Sequence, residues 1–252
     1  MIDNTLFGPV DKIQVAIDRI KEAAAIGLPV KVAFSGGKDS ICIYRLAQMA
    51  GIKFYAQYND TTVDPPELKR FIKDNYPNVI IRRPKRSMFQ LIQTNGPPMR
   101  IRRWCCKILK EKNDENETVI TGIRHEESSR RKCRHWKERN HKKKNSFFVH
   151  PIINWTFLEV WNFIEEQNLK YCDLYDEGWD RIGCILCPMT GSKPHLERWP
   201  KMANAYKRSL YKYWIKRGWD KTKTEWPTFQ NYWLWWLDRD AKAINDKQVT
   251  MF

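Results

Sequence analysis

The chain has 252 residues, is 42% hydrophobic and carries a formal net charge of +16 at pH 7. That length fits one large domain, or a domain with a small appendage. No apolar run approaches the roughly 18 residues needed to span a bilayer, so no membrane partner is expected, while the charge excess favours polyanions or nucleotide phosphates.

The N-terminal Met1-Ile2-Asp3-Asn4 lacks the basic start and apolar stretch of a secretory leader. The expected location is cytoplasmic, where thiols stay reduced. The seven cysteines then read as ligands, nucleophiles or core residues rather than as disulfides.

In chain order, Ile13, Ile17, Ile20 and Ala24 recur at helical spacing between Pro9 and Ile26, and Gly27 supplies a stop. Val32-Ala33-Phe34 reads as a strand. It leads into Ser35-Gly36-Gly37-Lys38-Asp39-Ser40, after which Ile41 to Ala47 resume helical spacing up to Gly51. The glycines let the backbone approach an anion closely. The first amides of the helix and its dipole then face that anion. Lys38 adds a positive charge, and the Ser35 and Ser40 hydroxyls can complete the donors.

Phe54 to Tyr58 reads as a second strand leading into Asn59-Asp60-Thr61-Thr62, with a helix starting near Pro65-Pro66-Glu67. Val79-Ile80-Ile81 is a third strand, and Thr118 to Gly122 a fourth. Apolar strands alternating with helices predict an α/β fold, a parallel sheet with helices on both faces. Ligands of such sheets sit at the carboxyl ends of the strands, where the loop at Ser35, Asp60 and Gly122 would lie.

Cys105-Cys106 sits in an arginine-rich stretch. Adjacent cysteines do not comfortably bond each other, which leaves a buried apolar pair or two ligands of one metal centre. Cys184-Ile185-Leu186-Cys187-Pro188 has a C-x-x-C spacing that suits iron–sulfur or zinc ligation, and a redox pair is a third reading. Together the pairs supply four thiolates, the complement of a [4Fe–4S] cluster. Cys42 reads as core and Cys172 as a bystander. Cys133 lies among basic residues, so a sulfur-carrying role stays open.

Arg130 to Lys144 is heavily basic, with Trp136 and His141 interleaved. It reads equally as a nucleic-acid contact loop or as a flexible solvated loop. Thr156-Phe157-Leu158-Glu159 is a capping box that opens a helix. Beyond Pro194, Tyr206, Leu210, Tyr213 and Trp214 predict a helix ending at Gly218, and Tyr232 to Leu237 another. Their aromatics read as packing of a small helical cap in preference to base stacking.

The string from Ser35 to Ser40 resembles the PP-loop of the ATP pyrophosphatases, which cleave ATP between its α and β phosphates. Asp60-Thr61-Thr62 with Pro66-Glu67 resembles the second-strand element of the phosphoadenosine phosphosulfate (PAPS) reductase superfamily, with Thr62 where glycine is common. On spacing alone, that turn could equally cap the next helix. Gly122-Ile123-Arg124-His125-Glu126-Glu127-Ser128-Ser129-Arg130-Arg131 resembles the family's G-x-R-x-x-E-S-x-x-R element, and His150 to Trp155, Tyr171, Leu174, Tyr175 and Gly178 continue the likeness. It covers roughly residues 30–190. The cysteine pattern is similar to that of assimilatory adenylyl-sulfate reductases and of relatives that transfer sulfur to DNA.

The resemblance implies a Rossmann-like PP-loop domain with an iron–sulfur site over residues 1–190 and a C-terminal helical, aromatic-rich cap over 191–252. ATP would be held by Ser35, Gly36, Gly37, Lys38, Asp39, Ser40, Asp60, Gly122, Arg124, Glu127 and Ser128, with Mg²⁺ on its phosphates near Asp39. Lys38, Asp39, Arg124 and Arg131 would carry the catalysis, and Cys105, Cys106, Cys184 and Cys187 the [4Fe–4S] cluster. True sulfonucleotide reductases carry a cysteine in a C-terminal Glu-Cys-Gly-Leu-His tail and tend to have a degenerate PP-loop. Here the loop is intact, no cysteine follows Cys187, and the chain ends Gln248 to Phe252. The expectation is therefore an ATP-dependent enzyme that adenylates an acceptor, tRNA or DNA foremost, for sulfur transfer. Its sulfur would come from a cysteine desulfurase or a thiol protein. The alternatives are a sulfonucleotide reductase using an external thiol and a catalytically silent nucleotide-binding subunit.

Overall fold

The computed structural model describes every residue except 6, 7, 112, 222–225 and 239–252, so the tail from Gln248 to Phe252 lies outside the described residues. The chain divides into two compact units. The first comprises Met1–Asp60, Pro65–Arg83 and Lys112–Gly183, and the second Thr61–Asp64, Pro84–Glu111 and Cys184–Phe252.

The first unit opens with a small hairpin, β1 (Ile2–Thr5) antiparallel to β2 (Gly8–Asp11). The expected helix therefore begins later than Pro9, as α1 (Lys12–Ala24), where the Asp11 carboxylate accepts from the Ile13 N–H at 3.0 Å and caps it. β3 (Val30–Ala33), α2 (Lys38–Met49), β4 (Tyr55–Asn59), α3 (Pro66–Asn75) and β5 (Ile80–Arg82) follow as the apolar runs predict. β6 (Thr118–Ile120) then leads to a short helical turn, α5 (Ser129–Lys132), and to β7 (Lys137–Arg139) and β8 (Phe147–Val149). The expected loop from Arg130 to Lys144 is thus partly regular: β7 is an edge strand, antiparallel to β8.

Six strands form one sheet in the order β5-β4-β3-β6-β8-β7, parallel except for β7. From β3 the chain steps outward one way through β4 and β5, then returns to pair β6 on the other side of β3. The strand order reverses between β3 and β6, where a crevice opens at the carboxyl ends of a parallel sheet. Ile41, Cys42, Ile43, Leu46 and Ala47 of α2 are buried, so Cys42 is a core residue. α2 packs on β3, α1 and α6 (Phe157–Glu166). Truncating Leu46 to alanine would cost about 2–5 kcal/mol. At the other end of β3, the buried Lys31 ammonium pairs with Glu117 at 2.5 Å, and the Tyr55 hydroxyl donates to the same carboxylate at 2.8 Å. Removing one partner would strand a buried charge, at about 3–5 kcal/mol.

The second unit contains α4 (Met88–Asn95), α7 (Lys193–Arg198), α8 (Pro200–Lys216) and α9 (Phe229–Leu237). α8 packs on α4, α7 and α9. Tyr206 stacks on Trp236 at 5.4 Å and meets Phe89 edge-on at the same separation. Tyr232, Trp233 and Trp236 are buried, and the Trp236 indole donates to the Pro98 carbonyl at 3.1 Å. The aromatic stripe therefore packs, as periodicity predicts. Among the described residues, no helix is long and apolar enough to cross a membrane.

Candidate functional site

The β3 strand ends at Ala33, and the chain turns through Ser35-Gly36-Gly37 into α2. Gly36 has φ +75°, and a Cβ there would come within 2.8 Å of Leu68 and Ile72, so only glycine fits the turn. The hydroxyls of Ser35 and Ser40 lie 3.2 Å apart, and Ser40 donates to the Gly37 carbonyl at 2.7 Å. No side chain caps α2. The Lys38 N–H donates to the Tyr175 hydroxyl at 2.9 Å. Lys38 itself is buried, its ammonium donating to the Asp180 carbonyl at 3.0 Å and lying over the rings of Phe157 and Tyr175 at 5.1 and 5.4 Å. Burial lowers its pKa, partly opposed by the Asp39 carboxylate.

The loop after β6 closes on the same helix. A Cβ on Gly122 would come within 2.9 Å of Asp39, so glycine is what allows the two loops to touch. Arg124, buried at 4% exposure, donates from Nε to Asp39 at 2.6 Å and from Nη1 to Glu126 at 2.7 Å. Its backbone N–H donates to Glu127 at 2.9 Å, and Glu127 also pairs with Arg131. Glu126 accepts from the first amide of α6, Phe157, at 2.5 Å. Asp60 follows β4 and pairs with Lys69 at 2.8 Å. Ser128 is exposed and extended, its carbonyl accepting from the Arg131 N–H. The expected residues Lys38, Asp39, Gly122, Arg124, Glu127 and Arg131 thus form one connected network. Sequence reasoning missed Glu126, Phe157 and Asp180 as members; Glu126 is adjacent to a motif glutamate, whereas nothing local marks Asp180.

Behind this loop, His150 is fully buried. Its Nε2 lies 3.3 Å from the Arg134 guanidinium, which can only donate, so Nε2 accepts and the protonated Nδ1 donates to Thr121 Oγ1 at 2.7 Å. Burial, with Arg134 adding to it, lowers the His150 pKa to about 4.

The second unit carries the four cysteines. Cys105 is buried at the start of a wide turn of π-helical type, Cys106–Lys110, and the other three are half-buried. The Arg103 guanidinium lies 3.4 Å from Cys106 Sγ. Hydrogen bonding from the Cys105 thiol, with Arg103 beside it, lowers the Cys106 pKa to about 5 and raises that of Cys105. Cys184 Sγ lies 3.5 Å from Thr61 Oγ1, and burial pushes its pKa up to about 12 against the opposing charge of Lys110. Lys110 is raised in turn, first by Cys184 and also by Asp64, Cys187 and Cys106. The Cys184–Cys187 turn is held by the Ile185 N–H on the Val63 carbonyl at 2.8 Å and the Leu186 N–H on His195 Nδ1 at 2.9 Å. Thr62, standing where the family favours glycine, adopts φ +68° and accepts from the Met88 N–H at 2.9 Å. Among the described residues no group of three or more His, Cys, Asp or Glu side chains is placed to hold a metal ion. The donor set is four sulfurs with cations beside them, a chemistry that fits an iron–sulfur cluster, whose ligands bind separate irons.

In the basic stretch, Arg130, Lys132, Arg139, Lys142 and Lys144 are exposed. Trp136 is engaged, with Arg19 and Lys137 lying 5.8 and 5.7 Å from its ring, and is not a bare stacking platform. Cys133 is exposed.

The glycine turn between β3 and α2 lies at the switch point of a mostly parallel sheet, the frame of an open α/β protein. The pattern of the phosphoadenosine phosphosulfate reductase domain matches residues 29–190, and the chain belongs to that family. An uncharacterised protein of Methanocaldococcus jannaschii is 32% identical, over 86% of this chain and 49% of its own length. A second one from that organism is 27% identical, over 82% and 51%. The chain thus spans about half the length of these relatives. An adenosine 5′-phosphosulfate reductase of Bacillus cereus is 29% identical, over 62% of this chain and 72% of the relative. In fold, the phosphoadenylyl-sulfate reductase of Candida auris, solved with phosphate, superposes with a TM-score of 0.50 at 18% identity, over 69% of this chain and 88% of that one.

Proposed function

We propose that the chain is an ATP-using sulfur-transfer or sulfur-activation enzyme, which adenylates an acceptor and releases pyrophosphate. The observation that carries this is the intact Ser35–Ser40 loop joined to Gly122 and Arg124 through Asp39. Gly36 and Gly37 admit the phosphates, the α2 amides and dipole face them, and the Lys38 ammonium and Arg124 guanidinium offset their charge. Asp39 would bind Mg²⁺ on the phosphates. An acceptor oxygen attacks the α-phosphorus, and the α–β bridging bond breaks. Pyrophosphate leaves with the electron pair, and the acceptor proton passes to solvent.

Cys105, Cys106, Cys184 and Cys187 would hold a [4Fe–4S] cluster, with Lys110 and Arg103 offsetting its negative charge. Such a cluster supplies redox chemistry and a binding point for sulfur. The sulfur would come from a cysteine desulfurase or a thiol protein. The exposed basic residues from Arg130 to Lys144 support a nucleic acid, tRNA or DNA, as acceptor. Residues 1–190 would form the PP-loop part and 191–252 its helical cap. The medium is the cytoplasm.

The match to an adenosine 5′-phosphosulfate reductase favours a second reading, reduction of adenylyl sulfate by an external thiol. The deciding assay measures pyrophosphate from ATP and sulfite from adenylyl sulfate in parallel, with anaerobically prepared protein. Pyrophosphate release that depends on Lys38 supports the first reading, and sulfite release supports the second. Neither product, with ATP still bound, would leave a silent nucleotide-binding subunit.

A further inference from the structure

We infer that the segment Asp173 to Asp180 is a strap over the phosphate site, displaced when a nucleotide binds. The inference rests on reading the Ser35–Ser40 loop as a phosphate site, and it names a control on that site. Two groups of Lys38 can take phosphate oxygens, its backbone N–H at the start of α2 and its ammonium. Both are held by this one segment, the N–H by the Tyr175 hydroxyl at 2.9 Å and the ammonium by the Asp180 carbonyl at 3.0 Å. The Tyr175 ring, 5.4 Å from the ammonium, adds to the cover that the Phe157 ring gives at 5.1 Å. Lys38 is left 5% exposed, which is unusual for a residue whose charge is meant to meet a soluble anion.

The backbone hydrogen bonds of the strap are local, so that its displacement releases them. The Tyr175 N–H bonds the Cys172 carbonyl, the Gly178 N–H the Tyr175 carbonyl and the Trp179 N–H the Leu174 carbonyl, all within 3.1 Å. Leu174 is buried, whereas Asp173, Asp176, Glu177 and Asp180 are exposed. Four carboxylates within eight residues would repel an arriving triphosphate, so the incoming charge both competes for Lys38 and pushes the strap outward. The Tyr175 ring meets Trp161 of α6 edge-on at 5.1 Å, which gives the closed position its seat. The affinity for ATP is then the intrinsic affinity reduced by the fraction of molecules in which the strap is open.

Tyr175→Phe keeps the ring and deletes the tie to the Lys38 N–H. One net hydrogen bond corresponds to about a 2- to 10-fold change in equilibrium, so the variant should bind ATP tighter by about that factor. Adenosine has no phosphates to compete for Lys38, and its affinity should not change. In the parent protein, ATP should raise deuterium uptake over residues 172–181, and the variant should show that raised uptake before ATP is added. A variant that binds ATP more weakly would make the hydroxyl a ligand and overturn the strap. Unchanged uptake in the parent on saturation with ATP would overturn it too, whatever the variant does and even if the variant failed to fold. Loss of both ATP and adenosine binding in the parent would remove the nucleotide reading itself, and the strap with it.

Discussion

The Arg124 guanidinium, on the loop after β6, donates to the Asp39 carboxylate of α2 at 2.6 Å, and this pair ties two loops that meet where the strand order reverses. Arg124 is 4% exposed, whereas the Asp39 side chain keeps 23% of its surface in solvent. The arginine is thus anchored and the carboxylate stays open to a metal–phosphate ligand. Arg124→Ala should lower pyrophosphate release on the order of a hundredfold, the range for loss of one preorganised donor. Arg124→Lys should not restore it, since an ammonium cannot hold Asp39 and Glu126 with the same planar fork. Steady-state kinetics of the two variants check this, and full rescue by lysine would reduce the residue to a point charge.

Lys38 sets stability against function. Burial lowers its pKa, so the folded state disfavours the charged form that a phosphate needs. By linkage, the unfolded chain binds the proton more tightly, and the cost to stability is full below the folded-state pKa. It fades as pH rises towards the unfolded value of about 10.5. Lys38→Met should therefore hold or raise the melting temperature at pH 7 while abolishing pyrophosphate release. A variant that melts clearly lower would show the ammonium to be a structural tie.

His150 predicts acid sensitivity. Its pKa of about 4 in the fold lies below the ordinary 6.5, so the unfolded chain takes up a proton that the folded one refuses. Above pH 6.5 both states are neutral and nothing is lost. Between 6.5 and about 4 stability falls, by about 2 kcal/mol at pH 5. Urea unfolding at pH 7 and pH 5 should show the loss in the parent, and His150→Asn should remove that part of the slope.

The central elements were legible because each carries its own local signal. Val32 to Phe34 is apolar, Gly36 must accept a left-handed φ, and Ile41 to Ala47 repeat with the helix. The glycine of Gly122 was readable from its motif, but its reason, contact with Asp39, is long-range. The hairpin Ile2–Asp11 escaped because it is short and polar. β7 escaped because Lys-Glu-Arg has no alternation of apolar and polar residues, and an edge strand needs none to pair with β8. α4 carries its own local signal, the Ser87–Gln90 capping box. The tie of Tyr175 to Lys38 spans 137 residues and has no local mark.

The four thiols lead to a composition test. Anaerobically purified protein should contain about four irons and four sulfides per chain and be brown. Cys184→Ser should lose most of that iron, whereas Cys42→Ser, altering a buried core thiol, should cost stability and keep iron in whatever folds. Stoichiometric zinc without iron would overturn the cluster.

The last prediction concerns the acceptor. Arg131 and Arg134 are paired with Glu127 and Glu138, and Lys137 with Glu22. Arg130, Lys132, Arg139, Lys142 and Lys144 are exposed, and among the described residues no carboxylate lies within ion-pair distance of them. Charges without intramolecular partners are the ones that release counterions when they meet a phosphate backbone. Each contact contributes a slope of about −0.7 to −0.9 in the log–log dependence of affinity on salt. Changing Lys142, Lys143 and Lys144 together to alanine should flatten the slope for tRNA or duplex DNA by about two to three, leaving ATP affinity unchanged. Arg124→Ala should do the reverse, weakening ATP and leaving the salt slope intact. The Trp136 ring already has Arg19 and Lys137 against it, so Trp136→Ala should disturb the fold around it more than it disturbs base stacking. If neither tRNA nor DNA stimulates pyrophosphate release, and the triple variant keeps the parent's slope, the acceptor is not a nucleic acid bound through this face.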